Sequence, residues 1–317
     1  MTRYQLLLFI FLGINSLLMA QARDINAEKT AIQSSRYWLD IDYVGDGHIG
    51  HRLDVHLPSK GKKPFPVIVC VYGSAWFSNN SKGTVFSTGL GQFLLNAGFA
   101  VVNVNHRSSA DGRFPTQIQD VRAAIRFIRG NSEKFGLDKG FVGITGWSSG
   151  GHLSAFTGTS SGIKDFEIEG NKIDLEGNLG KYTQESSAVD AVVDWFGPTD
   201  FLIMDECGSS FSHNEAKSPE SSLVGGPIQE NKVNCALANP MTYASAKTPP
   251  FLIFHGDKDN LVPHCQSEKL YETLQKAGVQ SELVIVPGGQ HGPGVMEAGF
   301  YAKMVAFFKR ELKKKKM

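Results

Sequence analysis

One stretch, Phe141 to Leu153 (FVGITGWSSGGHL), constrains the fold of this chain more than any other. Phe141 to Thr145 is a short apolar run of the kind that forms a buried strand. Gly146 to Gly150 matches G-x-S-x-G, and Gly151 to Phe156 reads as the start of a helix. A strand that enters a helix through this pentapeptide is the context of a nucleophile elbow. The turn is too tight for side chains at its flanks, which accounts for glycine at positions 146 and 150. The central serine, Ser148, is held in a strained backbone conformation that costs on the order of 1–3 kcal/mol. Its hydroxyl then projects clear of the sheet, at the positive end of the helix that follows.

The rest of the chain supplies what such an elbow needs around it. Arg36 to Val44 and His51 to Leu57 alternate apolar and polar residues, with Gly45-Asp46-Gly47 between them. Period two with a glycine-rich turn predicts an antiparallel hairpin at a sheet edge. Pro66 to Tyr72 and Phe99 to Val104 are continuous apolar runs, as strands covered on both faces would be. Gln92 to Ala97 predicts a helix stopped by Gly98, and Thr116 to Phe135 an amphipathic helix with Ile118, Val121, Ile125 and Ile128 on one side. After the elbow come three more apolar runs, Ala191 to Phe196, Pro250 to Phe254 and Leu283 to Val286. Gln266 to Ala277 and Met296 to Leu312 read as helices. Strand and helix alternate from about residue 66, which predicts an α/β fold: a mostly parallel sheet of about eight strands, an antiparallel edge hairpin, and helices on both faces. Two polar stretches, 160–187 and 205–239, read as surface insertions near the strand ends, either lids or plain loops.

Residues 1–22 read as a secretory signal, with Arg3 in a short positive region, Leu6 to Leu12 as its apolar core, and Ala20-Gln21-Ala22 as a cleavage site. The mature protein is then a single domain, 23–317, with no membrane span. Net charge is +1, and Lys313 to Lys316 form the one basic run, placed at a helix end. Nothing resembles the basic footprint of a nucleic-acid binder. Export permits disulfides, and the four cysteines allow three full pairings. Cys207 and Cys235 share one polar segment and could pair, Cys265 could compete for either partner, and the pairing stays open. Cys70 reads as a core residue. No metal-site spacing is present and no cofactor is expected.

A serine hydroxyl needs a base to become a nucleophile. Among nine histidines, His291 stands in Gly288-Gly289-Gln290-His291-Gly292, just after the last strand, where the loop opens on the same edge as the elbow. His152, one turn along the elbow helix, reads as structural. His213 and His255 are weaker candidates. The acid should follow a strand between serine and base, and Asp257 and Asp259 both do. Asp259 lies further out and is the expected acid; Asp257 would brace the turn. The role of Asp259 would be to hold the imidazole tautomer and stabilise the imidazolium. The oxyanion hole would take one N–H from Ser149 and a second from Ser74 or Ala75, in the loop after the third strand. Trp76, Phe77, Trp195 and Phe196 are expected near the strand ends as walls of an acyl pocket.

With these residues placed, the chain resembles the α/β-hydrolases, and within them the esterase/lipase branch that includes bacterial feruloyl and acetyl-xylan esterases. The resemblance covers about residues 36 to 312. It rests on LDVHLP (Leu53 to Pro58), YGSAW (Tyr72 to Trp76), NHRSS (Asn105 to Ser109), the helix from Phe114 to Phe127, GWSSGGH, DWFGPTD (Asp194 to Asp200), HGDKDNLVP and GGQHG. It implies Ser148 as nucleophile, Asp259 as acid and His291 as base. One departure is that Tyr72-Gly73-Ser74-Ala75 stands where many relatives carry His-Gly-Gly-Gly. The implied activity is hydrolysis of a small ester or an acylated polysaccharide, acetyl or feruloyl, outside the cytoplasm. Rival readings are an amide hydrolase using the same three residues and an inactive hydrolase fold that binds without turnover. The sequence sets no oligomeric state.

Overall fold

The computed structural model describes residues 32–317, and the expected signal at 1–22 lies outside the described residues. Eight strands form one sheet in the order β1-β2-β4-β3-β5-β8-β9-β10. These are β1 (Ser34–Asp42), β2 (Arg52–Pro58), β3 (Phe65–Val71), β4 (Ala100–Val104), β5 (Leu137–Trp147), β8 (Ala191–Trp195), β9 (Phe251–Gly256) and β10 (Ser281–Val286). β1 and β2 pair antiparallel, as do β2 and β4; every pair from β4 to β10 is parallel. The edge hairpin expected from period two is thus β1–β2.

The helices longer than a single turn are α1 (Leu90–Asn96), α2 (Thr116–Gly130), α3 (Ser149–Thr159), α4 (Pro219–Val224), α5 (Lys232–Ala238), α6 (Cys265–Lys276) and α7 (Ala298–Lys315). Alternate residues of the central strands feed two separate cores. Val67, Val69 and Val71 of β3 pack with Val121, Ile125 and Leu153 beneath α2, α3 and α6. Ile68 and Cys70 pack with Leu94, Met304 and Phe308 beneath α1 and α7. A strand apolar on both faces is stable only when helices cover both, so the continuous runs in the sequence required this three-layer arrangement. The expected helix over 116–135 is shorter than its pattern: α2 ends at Gly130, a single turn follows at Ser132–Phe135, and Gly136 closes it with φ 71°.

Both insertions are folded. The first contains a hairpin, β6 (Asp165–Ile168) with β7 (Asn171–Asp174). Glu169 (φ 50°) and Gly170 (φ 78°) make its two-residue turn, both left-handed as a type I′ turn requires. Its apolar side joins Phe156, Leu237 and Tyr243 in a small third cluster. Two buried arginines of α2 pin the segment: Arg122 pairs with Glu176 at 2.9 Å and donates to Ser160 O at 2.7 Å, and Arg126 pairs with the other oxygen of Glu176.

The second insertion carries α4 and α5 and is joined to the start of α6 by a Cys207–Cys265 disulfide. This decides a pairing that the sequence leaves open, and it is not the Cys207–Cys235 bridge that their shared segment suggests. Cys235 lies on the buried side of α5, its thiol directed at Ile228 O at 3.6 Å. Helix packing turned it inward, whereas Cys265 stands at the end of the loop that follows β9. Among the described residues, no helix is long and apolar enough to cross a membrane.

Candidate active site

β5 passes through Ser148 into α3, and Ser148 has φ 54° and ψ −127°. The flanking glycines answer to close approach. A Cβ at Gly146 would lie 2.3 Å from Gly150 O, and one at Gly150 would lie 2.2 Å from Val71 O. The strained serine is tied down by its own N–H, which donates to Trp195 O at 2.9 Å on the neighbouring strand.

Three loops at the C-terminal edge of the sheet meet at the Ser148 hydroxyl. His291 Nε2 is 2.9 Å from Ser148 Oγ, and His291 Nδ1 is 2.7 Å from Asp259 Oδ2. The other oxygen of Asp259 accepts the N–H groups of Leu261 and Val262, each at 3.0 Å. Burial pulls the Asp259 carboxyl upward, but hydrogen bonds and charge from His255 and His291 outweigh it and hold the group well below the usual carboxylate range. An ionised Asp259 requires Nδ1 of His291 to carry the proton. Nε2 is then the acceptor for the serine O–H, which is the tautomer a general base needs. The imidazole packs on Phe196, centroids 4.7 Å apart.

Asp257, the other candidate acid, accepts from Gly288 N–H at 2.7 Å and braces the turn that carries His291. The β9 and His291 loops are pressed together at glycine: a Cβ at Gly256 would lie 2.1 Å from Gly289 O. His152 is buried and bonded through Nε2 to Ala238 O at 2.8 Å, and burial lowers its imidazole to about 4. His255 bonds Ser267 Oγ and Val262 O, both at 2.7 Å, behind Asp259. His213 holds Leu261 O at 3.1 Å from the second insertion.

The loop after β3 carries Ala75 and Trp76, both non-glycine residues with left-handed backbone (φ 51° and 58°). Ser74 is corrected as a loop donor, because its N–H already donates to Ser149 Oγ at 2.8 Å. Among the described residues the N–H groups of Ala75 and Ser149 have no acceptor. Trp195 is corrected as a pocket wall. Its ring lies on the α7 side of the sheet, stacked on Phe254 at 4.2 Å and donating to Thr145 Oγ1 at 3.1 Å. It follows Asp194 in β8, and the pleat sends the two side chains to opposite faces. Trp76 is buried against His152 and Phe201 at 5.2 and 5.6 Å, while Phe77, the next residue, is half exposed. The two contacts that reading the sequence missed are Phe196 on His291 and the Ser149 hydroxyl on the loop. The doubled serine in GWSSG was the available signal for the second.

Asp194 is fully buried beside the first turn of α3, where a Cβ at Gly151 would come within 2.3 Å of its Oδ1. Oδ1 accepts from Gly197 N–H at 3.0 Å, and among the described residues Oδ2 has no partner. Burial pushes this carboxyl up to about 7, against the lowering effect of the Gly197 bond. Below about pH 4 it is protonated in the folded and unfolded chain alike. Between there and about 7 only the folded chain keeps the proton, so stability falls as pH rises through that window. Asp194→Asn cannot ionise. Its stability relative to wild type should therefore rise by up to roughly 4 kcal/mol between about pH 4 and pH 8. Urea unfolding at both pH values measures this, and a constant difference would contradict it.

A mostly parallel sheet in this strand order, with the elbow after its central strand and the base after its last, defines an α/β-hydrolase. The family model described as BD-FAE matches residues 53–274, and the chain belongs to the BD-FAE family. A solved structure described as a truncated form of carbohydrate esterase from gut microbiota is 43% identical. It has a TM-score of 0.84 and covers 89% of this chain and 98% of its own. The bifunctional GH43-CE of Bacteroides eggerthii is 48% identical with a TM-score of 0.83, covering 87% of this chain and 35% of its own. Among curated proteins, a probable carboxylic ester hydrolase, LipM, of Mycobacterium tuberculosis is 27% identical over 260 residues, covering 80% of this chain and 55% of its own. The chain spans about half the length of the curated relatives it matches.

Proposed function

We propose that this protein is an exported serine esterase that removes acyl groups, acetyl or feruloyl, from plant cell-wall polysaccharide such as xylan. The observation that carries the reading is the unbroken hydrogen-bond chain from Ser148 through His291 to Asp259, 2.9 and then 2.7 Å. His291 takes the Ser148 proton as the oxygen attacks the ester carbonyl. Asp259 stays ionised and stabilises the imidazolium. The developing oxyanion is held by the N–H groups of Ser149 and Ala75, at the positive end of α3. His291 then protonates the departing sugar hydroxyl, and water cleaves the acyl-enzyme by the same route in reverse. The half-exposed Phe77 beside the loop would contact the acyl group or the sugar. Resemblance to carbohydrate esterases supports the substrate class, and the Cys207–Cys265 disulfide supports an oxidising compartment.

The test is a side-by-side assay of p-nitrophenyl acetate, methyl ferulate and acetylated xylan, with fluorophosphonate labelling. Turnover of at least one ester with the label on Ser148 is expected. Labelling without ester turnover, together with cleavage of an aryl formamide, would transfer the reading to amide hydrolysis.

A further inference from the structure

The loop that would supply the second oxyanion donor is not at rest by itself. Two successive residues with side chains, Ala75 and Trp76, hold left-handed backbone, at on the order of 1–3 kcal/mol each. Such a conformation persists only where its surroundings enforce it. Four contacts do so. Phe77 N–H donates to Ser74 O at 3.0 Å across the pair, Ser109 N–H donates to Trp76 O at 2.8 Å, the Trp76 ring is wedged between His152 and Phe201, and Ser149 Oγ accepts Ser74 N–H at 2.8 Å. Only the last comes from the elbow itself. Ser149 is buried, 1% exposed, so water does not compete for its hydroxyl.

We infer that the Ser149 hydroxyl is a positioning group that sets the oxyanion hole, an inference that rests on the esterase reading above. The residue would then act twice. Its N–H is one donor to the reacting oxygen. Its hydroxyl fixes the residue just before the other donor, Ala75, and so sets the span between the two N–H groups from one point. By occupying Ser74 N–H it also removes that neighbouring donor from the hole.

Ser149→Ala keeps the backbone N–H and deletes the hydroxyl. A donor displaced by about 1 Å costs roughly 10²-fold, and a donor lost altogether ~10²–10³ in turnover. Ser149→Ala should therefore lower kcat on p-nitrophenyl acetate by ~10–100-fold. KM should stay within ~3-fold, because ground-state binding does not use the hole. Ser149→Thr, which retains the hydroxyl, should recover most of the loss. Amide hydrogen exchange supplies a readout independent of activity: Ser74 N–H should be protected in wild type and exchange faster in Ser149→Ala. Wild-type kcat in Ser149→Ala would overturn the inference. So would a Ser74 amide that exchanges freely in wild type, and that measurement decides the matter even if the alanine variant folds poorly. Failure of the esterase reading looks different, since wild type itself would turn over no ester and take no label at Ser148.

Discussion

Asp259→Asn is expected to lower kcat by about 10⁴-fold with little change in KM. The size follows from how the carboxylate is held. One oxygen accepts two backbone N–H groups, from Leu261 and Val262. In the asparagine variant that position must remain an oxygen, because an NH₂ there would face two donors. The amide NH₂ is therefore turned toward His291 Nδ1, which sits 2.7 Å away. Nδ1 must then accept, Nε2 must carry the ring proton, and a protonated Nε2 cannot take the proton of Ser148. The geometry survives while the tautomer is inverted. A variant that keeps its fold by circular dichroism yet retains more than a tenth of wild-type kcat would show that Asp259 does not set the tautomer.

Ser148→Ala should abolish turnover to at least ~10³-fold below wild type and remove fluorophosphonate labelling. What residual rate remains would come from the oxyanion donors acting on an ester attacked by water. The fold should persist, since the elbow is held by Ser148 N–H to Trp195 O and by the glycine contacts, none of which uses the hydroxyl. Undiminished ester hydrolysis in a pure preparation would reject Ser148 as nucleophile.

These expectations were largely accessible before any coordinates. β3 and β4 announced themselves as unbroken apolar runs because both faces are covered. The elbow announced itself because only glycine tolerates backbone oxygens at 2.2–2.3 Å from a Cβ position. Asp259 and His291 were legible because parallel strands deliver their following loops to one edge, so order along the chain becomes nearness in space. The hairpin within the first insertion was hidden by its polar composition. Its alternation of Phe166 and Ile168 before a Glu169-Gly170 turn was too short to stand out, and the segment that carries it is pinned through Glu176 by Arg122 and Arg126, far along the chain.

By itself the sequence determined the layered sheet, the strained serine and the three side chains that meet there, because each depends on local pattern or on strand order. Tertiary structure alone decided that Cys207 joins Cys265, that Trp195 faces α7, and that Ser74 N–H is spent on Ser149. Each of these is a choice of direction for a side chain or an N–H, and direction is set by which neighbour packing brings within about 3 Å.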